Sequence, residues 1–329
     1  MKKDLISIII TTYNREQMLP KAIGCAVAQD HTPIEVIVVD DGSTSSGTKD
    51  ICQKYPVKYI YQENRGPGAA RNTGIQAASG KYIQFLDDDD WLVPQSASTK
   101  YQFLVSHPEF HMVYSDLYLA DANGATLRCY YNGFHRPMPT GDIYAAILRR
   151  NVIPIHCVLW PRYILETIGG FPERTGFEDW ECLIRAAEEF SFGFIDVPLG
   201  YYRVHANNMT MRQNQENWYS PIYRYVSSSQ RFAGLDAKSQ AWFLAFFAWK
   251  CWLAKDEPLA NWLIQQAHQK HKTPFLFFVQ AAKLLGQPFS LFLYTLLWNM
   301  RDRMLPSFVT NSIFFKHNNK RSFLQKRNH

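Results

Sequence analysis

Asp87 to Asp90 are four consecutive carboxylates at the end of an apolar run, KYIQFLDDDDW. Four like charges side by side repel one another, so their position after a strand-like segment calls for something positive nearby. A helix start tolerates acidic groups, and Asp90 is a candidate N-cap for a helix beginning near Pro94. That accounts for one or two of the four. The others suit a hard divalent cation, because Mg²⁺ and Mn²⁺ prefer carboxylate oxygens and keep water and substrate phosphates as further ligands. One or two carboxylates at a strand end are enough to hold a metal–diphosphate.

Three more polar clusters follow apolar runs: Thr11 to Asn14, Asp40 to Thr44 and Asn64 to Gly68. Loops are often polar for solubility alone, but the repeated carboxylates favour a shared site. Thr11 and Tyr13 offer hydroxyls, and the Tyr13 ring offers a surface for a base. Asp41 can accept from a base N–H or a ribose hydroxyl. Arg71, after a Gly/Pro-rich loop, can meet a base edge or a phosphate. No GxGxxG follows the first strand and no Walker A loop is present, so phosphate would be neutralised by a metal rather than a glycine loop.

The elements that position these groups alternate. LISIIITT, IEVIVVDD, VKYIYQEN and KYIQFL read as strands, the first two rich in β-branched residues. Leu19, Ile23, Ala26 and Val27 recur at helical spacing, GTKDICQKY is helix-like, and RGPGAARNTGIQAASG enters a short helix. Strands alternating with helices imply crossover connections and a mainly parallel sheet covered on both faces. In such sheets the ligand crevice lies beyond the carboxyl ends of the strands, where all four clusters fall. Further on, residues 111–135 read as a hairpin region turning at DANG. RYILETIGGFPER reads as a short helix ending at Gly–Gly. FEDWECLIRAAEEF reads as a helix, and SFGFIDVPLGYYRVHANN as a closing strand and loop.

TTYNRE, VVDDGS, GPGAARNTGI, FLDDDDWLVP, IGGF and FEDWECLIRA occur in the order seen in family 2 glycosyltransferases, inverting enzymes with the GT-A fold. The chain resembles that family over roughly residues 5–212. The resemblance implies a Rossmann-like GT-A catalytic domain over 1–212; beyond it, residues 213–329 read from their composition as a helical, basic, aromatic-rich region. It implies transfer of a sugar from a nucleotide-diphosphate-sugar donor to a hydroxyl of a saccharide or lipid-linked acceptor, with Mn²⁺ or Mg²⁺ as cofactor. By matching motifs, Thr11, Tyr13, Asp41 and Arg71 would hold the nucleotide. Asp87, Asp88 and Asp89 would form the DxD-type site, with Asp89 on the metal and Asp88 near the ribose or sugar. Asp179 would be the catalytic base, although acidic residues there also suit a helix N-terminus. The family often has a small residue within the Asp run, where this chain has Asp throughout. His205, in YRVHANN, is a second candidate for the metal or a phosphate, set against the commoner structural role of a lone histidine. His156, Trp160 and Glu178 are candidates for the acceptor side. A sugar nucleotidyltransferase would normally carry a Gly-rich first loop, which TTYNRE lacks. A non-catalytic nucleotide-sugar-binding member of the family is the other alternative.

The bulk composition is that of a globular protein, 329 residues with 47% hydrophobic and 19% charged. The formal net charge of +6 is unevenly spread: residues 201–329 carry 17 Lys+Arg against 5 Asp+Glu. A basic half suggests an anionic surface. Aromatic residues clustered in apolar helix-like stretches, such as AWFLAFFAWKCWLA and PFSLFLYTLLWNM, suit a core or lipid better than base stacking, so nucleic acid is not expected as a partner. Two readings of this region stand: a helical subdomain with its own core, or interfacial helices on an anionic membrane. No apolar run reaches the roughly 20 residues needed to cross a bilayer. Six scattered cysteines without a CxxC pair fit a reducing compartment. The expected location is cytoplasmic, peripheral at the membrane's cytoplasmic face if the second reading holds. MKKDLISIIITT reads as a buried strand, since its apolar run is short and no cleavage site follows.

Overall fold

The computed structural model describes residues 4–131, 138–149, 151, 153–173, 176–205, 208, 219–272 and 279–280. The sheet is built outward from β1 (Ile6–Thr12). Ile6, Ile8, Ile9 and Ile10 are wholly enclosed, as expected of a strand covered on both faces. Each such side chain contributes about 1.5–3 kcal/mol relative to exposure. The helix α1 (Leu19–Val27) turns Leu19, Ala22, Ile23 and Ala26 into the core, one apolar stripe at helical spacing. It leads to β2 (Ile34–Asp40), then α2 (Gly47–Cys52), β3 (Lys58–Tyr61), α3 (Pro67–Ala77) and β4 (Tyr82–Asp87). β1 pairs in parallel with β2 and β4, and β2 with β3. The register sets Thr12 beside Asp40 and Thr11 beside Asp87. The strand-end clusters are thereby aligned on one edge before any side chain is considered.

The second half is mixed. It comprises β5 (Trp91–Leu92), α4 (Ser96–Ser106), β6 (Met112–Ala120), β7 (Thr126–Cys129) and α5 (Tyr144–Arg149). A 3₁₀ turn (Ile155–Cys157), β8 (Val158–Pro161), α6 (Arg162–Thr167), α7 (Glu178–Glu189) and β9 (Phe192–Arg203) complete it. The strand order is β3-β2-β1-β4-β8-β6-β9-β5, with β7 paired to β6. Three residues join β4 to β5, yet three strands lie between them in the sheet. Four flat inter-strand steps of about 4.8 Å need about 19 Å. Four Cα–Cα steps of about 3.8 Å reach about 15 Å at most. The sheet must therefore curl around the Asp88–Asp90 turn. The expected hairpin near residue 120 is β6–β7, and the α/β class with helices flanking a mixed sheet is as expected.

The chain forms two compact units, the first comprising residues 1–129, 139–205 and 218–235. The expected boundary at residue 212 lies outside the described residues. Two helices beyond it, α8 (Tyr219–Ser228) and α9 (Gln230–Ala233), belong to the first unit. There the Tyr225 hydroxyl donates to Glu188 at 2.8 Å, and Arg231 bonds to Asp142 and to the Glu188 carbonyl. The second unit includes α10 (Ala237–Leu253) and α11 (Glu257–Lys270), capped by Asp236 and Asp256. Phe243, Phe247 and Trp249 of α10 are enclosed. PFSLFLYTLLWNM lies outside the described residues. Among the described residues, no helix is long and apolar enough to cross a membrane.

Candidate active site

Each carboxylate of the Asp run meets an Arg or His side chain. Asp87 accepts from Arg71 at 2.9 Å. Arg15 Nη1 donates to Asp88 at 3.0 Å and to Asp89 at 2.5 Å. Asp89 Oδ2 also meets His205 Nε2 at 2.9 Å. Asp90 faces His156 Nδ1 at 3.1 Å, both side chains being 1% exposed. The four partners come from the β1 loop, α3, the end of β9 and the 3₁₀ turn, so the fold itself answers the charge repulsion. Burial pushes the Asp88 carboxyl up to about 7, with the Asp89 charge adding to this and Arg15 opposing it. Burial acts in the same direction on Asp89, but the His205 hydrogen bond and the Arg15 charge outweigh it and hold this carboxyl below its ordinary value. Burial likewise raises Asp90 to about 6 against the opposing charge of His156.

The residues expected to face a nucleotide stand at the ends of β1 and β2 and in the loops that follow them. Tyr13 is 47% exposed, and Thr11 beside it is half-buried. Asn14, at φ +53°, fixes the loop: its side-chain oxygen accepts from Thr44, and its N–H donates to Ser43. Asp41 is buried, and three donors of this chain already engage it: Gln62 Nε2 at 2.7 Å, Arg65 N at 3.0 Å and Gly66 N at 2.9 Å. A carboxylate has about four acceptor sites. Asp41 thus organises the loop before α3 and keeps little capacity for a ligand.

Arg71 is a buried strut. Nη2 holds Asp87, Nη1 donates to Glu178 at 2.7 Å, and the guanidinium lies 5.3 Å from the Phe171 ring. Its close approach depends on Gly68, where a Cβ would sit 2.2 Å from the Pro172 carbonyl oxygen. Both Glu178 oxygens are engaged, the second accepting from Gly176 N. Asp179, the next residue, is less enclosed. Oδ1 accepts from Trp180 N at 2.7 Å and Oδ2 from Asn151 Nδ2 at 3.3 Å. Burial and the Glu178 charge raise its carboxyl to about 6, against Arg71. Phe177, just before the pair, has φ +57°, a left-handed conformation that costs a bulky residue energy and is frequent at functional sites.

The three acceptor-side candidates are all buried, whereas Asp179 beside Glu178 is half-buried. Trp160 is wholly enclosed and meets Phe85 edge-on at 6.4 Å between ring centres. His156 is enclosed below the Asp run, and Glu178 is committed to Arg71. Sequence reading missed Arg15, Asn14 and Asn151. Arg15 was within reach, because it directly follows the first strand-end cluster and an uncompensated Asp run demands a cation.

Asp89 and His205 bring one oxygen and one nitrogen donor together, with Asp88 adjacent. Among the described residues no group of three or more ligating side chains is gathered. This partial donor set fits Mn²⁺ or Mg²⁺ that takes its remaining ligands from diphosphate and water.

Residues 7–140 match the family described as Glycosyl transferase family 2. Over that segment the chain belongs to glycosyltransferase family 2. It is 32% identical over 216 residues to an uncharacterized glycosyltransferase of Rickettsia conorii, an alignment covering 62% of this chain and 34% of that protein. The chain thus spans about a third of that relative's length. Among solved structures it resembles TarS 1–349 of S. aureus, with a TM-score of 0.58 and 18% identity over 86% of this chain and 92% of that one. It also resembles the Pyrobaculum calidifontis mannosyltransferase PcManGT, with a TM-score of 0.55 and 18% identity over 96% and 88%. At this identity the two likenesses show the fold, which is the GT-A type.

Proposed function

We propose that this family 2 member is a metal-dependent inverting glycosyltransferase. It moves a hexosyl or N-acetylhexosaminyl group from a nucleotide-diphosphate-sugar to a hydroxyl of a saccharide or lipid-linked acceptor. The observation that carries the reading is the Arg71 strut, which ties the Asp run at the end of β4 to the Glu178–Asp179 pair at the start of α7. A donor-binding edge and a base of raised pKa are thereby held in one network. TarS was solved with UDP-GlcNAc and PcManGT with GDP-Man and Mn²⁺, which supports a nucleotide-sugar donor and a divalent ion here.

Tyr13 and Thr11 border the nucleotide. Asp89 and His205, with Asp88, would hold the cation, which when bound supplies positive charge opposite the departing diphosphate. Asp179 takes the proton of the acceptor hydroxyl as that oxygen attacks the anomeric carbon from the face opposite the leaving group. A single displacement inverts the configuration and requires no carboxylate nucleophile. Arg71 and the Gly176 N–H engage the two Glu178 oxygens, so Asp179 is the carboxylate left to act as base.

Isothermal titration of UDP and GDP with and without Mn²⁺ tests the donor side. The wild type should bind one of them with Mn²⁺-dependent affinity, and Asp89→Ala should lose that dependence while remaining folded. Unchanged Mn²⁺ dependence in the variant would sink the assignment. Metal-dependent hydrolysis of the matching nucleotide-sugar separates an enzyme from a binding-only member.

A further inference from the structure

The chemistry proposed above leaves His156 unused, although it is among the most deeply buried ionisable side chains of the first unit. Its ring is fixed from several directions. Nδ1 faces Asp90 at 3.1 Å. The ring lies parallel to Tyr202, 5° between planes with centres 6.3 Å apart. A Cβ on Gly200 would stand only 3.3 Å from His156 Cδ2, so the absence of a side chain at 200 admits the ring against β9. The His156 carbonyl accepts from Gln84 Nε2 at 3.1 Å and Lys100 Nζ at 3.4 Å, which anchors the 3₁₀ turn to β4 and α4.

Asp90 then passes this support on. Its Oδ1 accepts the Arg203 backbone N–H at 2.9 Å, and Arg203 Nε donates to the Asp89 carbonyl at 3.0 Å. Two residues later His205 meets Asp89 Oδ2. We propose that His156 is a positioning residue: by buttressing Asp90 and the end of β9 from below, it sets where His205 stands beside Asp89. A buried carboxylate stripped of its partner is strongly unfavourable, so Asp90 would relax and release the Arg203 amide. Groups that orient metal-site side chains typically change metal affinity by 10- to 100-fold when removed. This inference deepens the proposed function and rests on it only for the role of Asp89 and His205 in donor binding.

The test uses the full chain and three variants. His156→Leu keeps bulk and removes both nitrogens. His156→Asn puts an amide N–H near the place of Nδ1, and His156→Gln puts one near the place of Nε2. The first readout is amide hydrogen exchange without ligand. Arg203 should exchange about tenfold faster in His156→Leu and His156→Gln. It should be largely restored in His156→Asn, with the Ile8–Ile10 amides unchanged. The second readout is titration of UDP and GDP with and without Mn²⁺. His156→Leu and His156→Gln should lose about tenfold in the Mn²⁺-dependent affinity, with metal-free affinity preserved. Equal behaviour of the Asn and Gln variants would overturn the proposal, and so would faster exchange spread evenly to β1. Should His156→Leu not fold, the Asn–Gln comparison decides alone. A wild type without Mn²⁺-dependent binding would refute the proposed function, while the exchange readout would still judge the positioning role.

Discussion

Asp179 concentrates the chemistry of the proposed reaction in one carboxylate. Asp179→Asn keeps the shape and, through its one amide oxygen, the bond from Trp180 N, but cannot take a proton. Donor affinity should be retained, and turnover should fall on the order of 10²-fold or more, measured by steady-state kinetics. The pH profile follows from the same group. Its carboxyl is raised to about 6 because burial and Glu178 disfavour the charged form more than Arg71 favours it. A base must be unprotonated, so turnover should be lost as pH falls through about 6 and be level just above it. The Asn variant should lack that acid limb. Arg71 gives a stability prediction instead. Arg71→Met would leave Glu178 buried with an uncompensated charge, a loss of about 3 kcal/mol by urea denaturation. Arg71→Lys should not restore it, because one ammonium cannot reproduce a guanidinium that bonds two carboxylates at once.

At the scale of elements, tight packing makes the site sensitive to small changes. Gly68→Ala would press a Cβ onto the Pro172 carbonyl, a backbone atom that cannot swing away. The helix α3 would back off and draw Arg71 from Glu178, with an overpacking cost of about 1–3 kcal/mol. Turnover should suffer more than nucleotide affinity, a contrast that kinetics and titration resolve together. Legibility in the sequence divides along similar lines. β1, β2 and β4 announce themselves because a strand buried on both faces must be an apolar run, and the register then aligns their polar ends. β5 and β8 are short, and pairing with β9 and with β4 and β6 defines them, so no local pattern marks them. The carboxylates of the site are readable by type and position. Their partners are not, since Arg15 and Asp89 lie 74 residues apart and Arg71 and Glu178 lie 107 apart. For the same reason Asp41 reads as a ligand group from sequence, although the fold spends its oxygens on Gln62, Arg65 and Gly66.

The whole molecule is electrostatically two-sided along the chain. Residues 201–329 carry 17 Lys+Arg against 5 Asp+Glu, within a chain whose formal net charge is only +6, so residues 1–200 are net acidic. In α10 five of the six aromatic side chains are enclosed and Trp242 is half-buried, which accounts for most of that stretch as core. The excess positive charge has no such explanation, since packing a core does not require it. A lipid-linked acceptor would give it one: a basic surface draws the enzyme to anionic headgroups, each Lys or Arg near the surface contributing about 1 kcal/mol. The full chain should therefore sediment with vesicles containing phosphatidylserine and much less with phosphatidylcholine vesicles. Attraction between exposed charges is screened beyond about 8 Å at physiological ionic strength, so raising salt should release the protein. Binding that survives high salt would point to inserted apolar side chains instead of headgroup attraction. Equal sedimentation with both vesicle types at low salt, or none with either, would remove the membrane from the proposal and leave a soluble saccharide as the acceptor to test first.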